Sequence, residues 1–186
     1  MKSKSKSCKK TIATIGIVLA LVIIHLIVAI PFRVMSVIPG FTDIRPVLLL
    51  QPVYGVFFGI PGCIAYAFGN LIVDVLSDSL SWSSIGGFVA NFIGPFVFFF
   101  YWKRISKTLF SLRTVRNILK HILVIAFTAV LESLIISPMV ALFYPEVDIL
   151  LFTVTVLLNN FVFPLAIGIP LMILMQEELG FDPITG

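Results

Sequence analysis

The sequence predicts an all-α polytopic membrane protein, with six transmembrane helices in one compact bundle. Three observations carry this. Of 186 residues, 59% are hydrophobic and only 12% are charged, against about 25% charged in an average soluble domain. The mean hydropathy is +1.12. All the basic residues except Arg33 and Arg45 fall in two blocks, Lys2 to Lys10 and Lys103 to Lys120, which flank long apolar runs. A soluble chain of this length must cover its surface with polar groups, and this one has too few. Lipid removes that need. A nucleic-acid binder would carry its basic residues on a soluble face, so the formal charge of +4 speaks for membrane topology and no nucleic acid.

Residues 1–10 form a basic cytoplasmic tail, residues 11–175 the transmembrane domain, and residues 176–186 a polar cytoplasmic tail. The run 11–32 meets the roughly 20 apolar residues a spanning helix needs, with His25 as its only strongly polar member. It is too long for a signal peptide, and no small-x-small cleavage site follows it. Residues 33–45 contain Pro39, Gly40 and Asp43 and read as an external loop. The apolar stretch 46–77 exceeds one span. Gly59-Ile60-Pro61-Gly62 is a strong turn signal and divides it into short helices over 46–59 and 62–77.

The Ser-rich segment 78–87 is a second external loop, with Trp82 as interfacial anchor or lid. The aromatic fourth span covers 88–102 and ends with Tyr101 and Trp102 beside Lys103 and Arg104, the expected order at an interface. A basic internal loop leads to a fifth span over 118–143, a short turn at 144–148, and a sixth span over 149–175. Six spans put both termini on one side. The two basic blocks, four spans apart, independently assign that side to the cytoplasm by the positive-inside rule. The predicted location is the plasma membrane.

Candidate functional residues are the polar groups inside apolar spans, where a charge costs about 2.5–3.5 kcal/mol on insertion scales. Asp74 and Glu132 are the acidic ones, and Asn70 precedes Asp74 by one helical turn. Asn91 opens the fourth span, Asn159 and Asn160 are adjacent in the sixth, and Gln51 and Tyr54 lie three apart in the second. Arg45 and His25 are candidate partners of Glu132. The predicted topology spreads these residues over the outer half of the membrane, as the lining of an outward-facing pocket. Each Asn can equally serve only to bond a neighbouring helix.

No HExxH, GxSxG or Walker sequence occurs, so the chain is not expected to be an enzyme, and ATP-driven transport would need another subunit. Cys8 and Cys63 suggest no metal site and no structural disulfide. No cofactor is expected.

The pattern resembles the substrate-binding (S) components of energy-coupling factor (ECF) transporters. The resemblance rests on topology over nearly the whole chain and on one stretch of motif, Arg45-Pro46-Val47-Leu48-Leu49-Leu50-Gln51-Pro52-Val53-Tyr54-Gly55-Val56-Phe57-Phe58-Gly59-Ile60-Pro61-Gly62, followed by Gly69-Asn70-Leu71-Ile72-Val73-Asp74. It looks like the family's second and third helices, which meet at a tight cytoplasmic turn. It implies a vitamin or micronutrient bound in the outer half, and uptake through a partner transmembrane subunit and two ATPase subunits. The family's first helix contacts the partner through an AxxxA pattern. Here the nearest match is Gly16-x-x-x-Ala20, with Ala13 one turn earlier. The polar residues of the spans and loops that are candidates for the substrate are Arg45, Gln51, Tyr54, Asn70, Asp74, Trp82, Asn91, Glu132, Asn159 and Asn160. Two other classes stand beside this reading. One is a stand-alone proton-coupled secondary transporter using Asp74 or Glu132. The other is a membrane enzyme acting on a lipid.

Overall fold

The computed structural model describes residues 2–33, 35–38, 42–106 and 110–183. Pro39 and Gly40 of the predicted loop, and Lys107 of the basic block, lie outside them, as does the side chain of Cys8. Helix dominates, as the apolar runs require. Five helical segments are long and apolar enough to cross a membrane: Thr11–Phe32, Pro46–Leu76, Ser83–Ile105, Val115–Phe143 and Ile149–Glu177. This fits a membrane-embedded protein.

Helix α1 (Lys2–Ala29) closes in a 3-10 turn at Ile30–Phe32. The predicted loop that follows holds a small antiparallel hairpin, β1 (Ser36–Ile38) with β2 (Thr42–Asp43), pairing Ser36 with Asp43 and Ile38 with Thr42. The chain then enters Pro46–Leu76 through a 3-10 turn (Pro46–Leu49), the short α2 (Leu50–Val53), a π-helical turn (Tyr54–Phe58) and α3 (Gly59–Leu76).

By length and composition Pro46–Leu76 counts as one span, where the sequence predicts two. Its geometry is not that of one straight rod. Gly59 has φ +56° and ψ −134°, outside helical space and open to glycine alone. A Cβ on Gly62 would lie 2.1 Å from the Tyr54 carbonyl oxygen. The Tyr54 and Tyr66 rings are 5.7 Å apart, whereas twelve residues of straight helix span about 18 Å. The chain therefore reverses at Gly59, and the two halves lie side by side.

Helix α4 (Ser83–Phe100) continues into a π turn (Tyr101–Ile105). Helix α5 (Val115–Phe143) starts three residues earlier than predicted because the Thr114 side chain accepts from the Asn117 N–H and caps it. The Asp148 carboxylate caps α6 (Ile149–Phe163) in the same way, accepting from Leu150 and Leu151 at 3.0 Å each. Pro164 lacks the N–H that continues an α-helix. There the last span makes a π turn (Pro164–Gly168) before α7 (Ile169–Glu177).

Helix α3 packs between α1 and α4, α4 against α5, and α5 against α6, while the segment before Gly59 packs against α4, α6 and the Pro164 turn. The core centres on Tyr54, Val56, Tyr66, Phe98, Trp102 and Ile125, all buried. Helix α1 is the least buried span; Ile12, Ile15, Leu19, Ile23 and Ile27 all face outward. Arg33 after α1 pairs with Asp74 near the end of α3, so these two helices run parallel. At the opposite end the Phe110 ring meets Phe57 and Trp102. Its carbonyl accepts from Gln176 Nε2 at 3.0 Å. Arg113, beside it, pairs with Glu177, which raises the Arg113 pKa above its ordinary value. The basic block thus closes one end of the molecule and the Ser-rich loop the other.

Candidate functional site

At the Ser-rich end the helices enclose a polar cavity. Four helical faces build it, each by the arithmetic of 3.6 residues per turn. Helix α3 supplies Asn70 and Asp74, and α4 supplies Ser84, Gly87 and Asn91. Helix α5 supplies Glu132, Ile136 and Val140 at i, i+4 and i+8. Helix α6 supplies Phe152, Val156, Asn159 and Asn160. Arg33, Arg45, Ser79, Ser81 and Ser83 complete the lining. The empty space is about 700 Å³ with its open mouth, of which about 70 Å³ has room for the centre of a water. That is room for several waters.

Hydrogen bonds fix the lining. Asp74 pairs with Arg33 and lies 3.4 Å from the Asn70 amide nitrogen. The backbone N–H of Arg45 donates to Asn159 Oδ1 at 3.3 Å, and Asn91 Nδ2 donates to the Gly87 carbonyl at 2.7 Å. Asn160 Nδ2 donates to the Val156 carbonyl at 3.0 Å. The deepest carboxyl is Glu132, 1% exposed, whose Oε1 accepts from Gln51 Nε2 at 2.5 Å. Gly94 on α4 leaves room for that contact, since a Cβ there would lie 2.2 Å from both atoms. Gln51 is thus a positioning residue behind Glu132.

Of the predicted site residues, Arg45, Asn70, Asp74, Asn91, Glu132, Asn159 and Asn160 line this cavity. Tyr54 does not. Its hydroxyl donates to the Leu21 carbonyl at 2.6 Å, and its ring packs edge-on against Tyr66. Trp82 is 66% exposed, stacks on Phe143 and lines a separate apolar groove on the outer surface. His25 lies in the core at 4.8 Å from the Tyr66 ring, with neither nitrogen hydrogen-bonded, so it is not the partner of Glu132. Ala13, Gly16 and Ala20 lie exposed along one stripe of α1. Cys63 is buried and free.

Sequence reasoning missed Arg33 and the serines, having assigned both to loops. An intramembrane aspartate needs a cation within reach, and that demand was the available signal for Arg33. Among the described residues no group of three His, Cys, Asp or Glu side chains stands ready for a metal ion. The arrangement presents a set of fixed donors and acceptors together with two carboxyl groups, Asp74 and Glu132. No family model, curated protein or solved structure matches the chain, so the functional reading rests on this cavity and the residues around it.

Proposed function

We propose that this chain is the membrane-embedded substrate-binding subunit of an ECF-type importer. It captures a vitamin-like micronutrient from outside, for uptake by a partner transmembrane subunit and two ATPases. The observation that carries the reading is convergence: polar residues from α3, α4, α5 and α6 and from the approach to α2 meet in one crevice at one end of apolar helices. Buried polarity of this kind is expensive in a membrane and marks function. On this reading the reversal at Gly59 makes Pro46–Leu76 two crossings, for six in all. The basic blocks and both termini are cytoplasmic, and the membrane is the plasma membrane. Ala13, Gly16 and Ala20, exposed on α1, offer the close-approach stripe for a partner helix.

The direct test is native mass spectrometry of the purified chain, with titration of the solute that co-purifies. A bound vitamin-like molecule, and co-purification with an ECF module, is the expected result. The absence of any bound solute across a panel of vitamins and modified bases, with no module association, overturns it. Orientation is checked by an impermeant maleimide on intact cells: Ser81→Cys labels and Ser111→Cys does not. The buried Glu132 also suits a proton-coupled carrier, and solute flux in liposomes containing this chain alone would favour that reading instead.

A further inference from the structure

The floor of the cavity is rich in acceptors that the chain itself does not use. Glu132 is 1% exposed and Asn160 5% exposed. Glu132 Oε2 and Asn160 Oδ1 both lack a hydrogen-bond partner, as does Gln51 Oε1 behind them. An unmade hydrogen bond on a buried acceptor is costly, and more so at membrane depth. A ligand that brings donors removes that cost. The two amide oxygens and the Glu132 oxygen are placed to receive N–H groups.

The rest of the lining gives the ligand a direction and a shape. Arg33 and Arg45 both line the cavity, Arg33 in its pair with Asp74, and the Glu132 carboxyl keeps one oxygen without a hydrogen-bond partner. One wall is apolar, from Ile136 and Val140 on α5 and Phe152 and Val156 on α6. The facing wall is polar, from Asn70, Asp74 and Asn91.

The geometry points to a planar cation as the ligand: an amidinium, guanidinium or protonated aminoheterocycle. Its N–H groups donate to Glu132 Oε2 and Asn160 Oδ1, and its ring lies against Phe152 and Val156. Any carboxylate or carbonyl it carries turns toward Arg33 and Arg45. This inference rests on the reading of the cavity as a solute site, and adds the polarity and orientation of the solute.

The test uses the full chain in nanodiscs and three probes of one shape and different charge: benzamidine, benzamide and benzoate. Binding is read by calorimetry and by the shift in unfolding temperature. Benzamidine is expected to bind, with benzoate at least tenfold weaker, because a charge-assisted pair to a buried carboxylate is among the strong hydrogen bonds. Glu132→Gln should weaken benzamidine at least tenfold more than benzamide. If that variant does not fold, Asn160→Asp carries the test, and should tighten benzamidine relative to benzamide. Benzoate binding as well as benzamidine, or benzamidine unaffected by either variant, overturns the inference. A co-purified N–H-rich cation supports it even if the probes are too small to hold. A co-purified anion, or a solute without clustered N–H donors, overturns the polarity and leaves the solute-binding reading standing. No probe and no co-purified molecule ends both.

Discussion

Gly94→Ala tests the floor of the cavity with the smallest possible change. The added Cβ would sit 2.2 Å from Gln51 Nε2, 2.2 Å from Glu132 Oε1 and 2.7 Å from Gln51 Cδ. Ordinary contact begins at 3.4 Å, so two side chains on two other helical segments must each retreat by about an ångström, a forced shift of the overpacking kind. Those two atoms are bonded to each other at 2.5 Å, and a methyl wedged between them ends that bond. Overpacking costs about 1–3 kcal/mol. An interhelical hydrogen bond in a membrane adds about 0.6–1.7 kcal/mol. The expected loss is roughly 2–4 kcal/mol, read by reversible unfolding in micelles titrated with SDS. Gly87→Ala is the control, since Gly87 borders the same cavity and a Cβ there meets nothing within 4 Å. It should stay within about 0.5 kcal/mol of the parent or gain stability. In the Gly94→Ala/Gln51→Ala double variant two of the three clashing atoms are gone, so the two losses should fail to add by about 1–2 kcal/mol. A Gly94→Ala protein as stable as the parent, or strict additivity in the cycle, would refute the packing described here.

Gly59→Ala should cost about 1–3 kcal/mol in the same titration, because its backbone conformation is reserved for glycine; no loss would mean that the chain does not reverse there. Arg33→Gln leaves the Asp74 carboxylate with the Asn70 amide at 3.4 Å as its remaining described side-chain donor. The pair is 18% and 10% exposed, so the loss should be about 1–3 kcal/mol, below the 3–5 kcal/mol of a fully buried pair, and Asp74→Asn should recover part of it. Cys63 is 0% exposed; in a Cys8→Ser background it should resist a membrane-permeant maleimide until the protein is unfolded, and rapid native labelling would contradict its burial.

Much of this architecture is legible in the sequence, because lipid and water impose it directly. Hydropathy places the apolar segments, though it starts α5 at 118 where the Thr114 cap sets the start at Val115. Gly59 and Gly62 mark a turn. The polar residues of the cavity were recoverable as a set, since each is too polar to face lipid and must find company inside. What failed was facing. Gln51 and Tyr54, three apart, share a face in a regular helix, yet Gln51 reaches Glu132 while Tyr54 bonds to Leu21. The backbone changes to a π turn at Tyr54, and local helix type is not written in spacing. Arg33 was equally hidden: its pairing with Asp74, 41 residues away, requires knowing that α1 and α3 are parallel neighbours. Trp82 reads from sequence as anchor or lid; its ring turns outward onto Phe143, away from the cavity lining.

The weakest element of a hydropathy reading is the half-length segment before Gly59, and the structure gives a physical reason why it can be short. From Pro46 to Phe58 a regular helix would rise only about 20 Å, against a hydrocarbon core of about 30 Å. A segment facing lipid would be penalised for that, and for its 3-10 and π turns, because irregular backbone at membrane depth survives only where protein or a wet cavity satisfies it. This segment does not face lipid. From Leu50 to Phe57 every residue is buried. Gly55 lies against the Pro95 carbonyl, and Gly168 of the last span against Leu49 and Pro52. Wrapped in this way, its length is set by its neighbours and not by the bilayer. That freedom is what lets Arg45 line the cavity while Gln51, two turns on, reaches Glu132. The same wrapping predicts the slowest amide exchange in the molecule for Leu50 to Phe57, with α1 faster despite its higher hydropathy. Equal protection of the two would mean that lipid, not protein, holds the short segment in place.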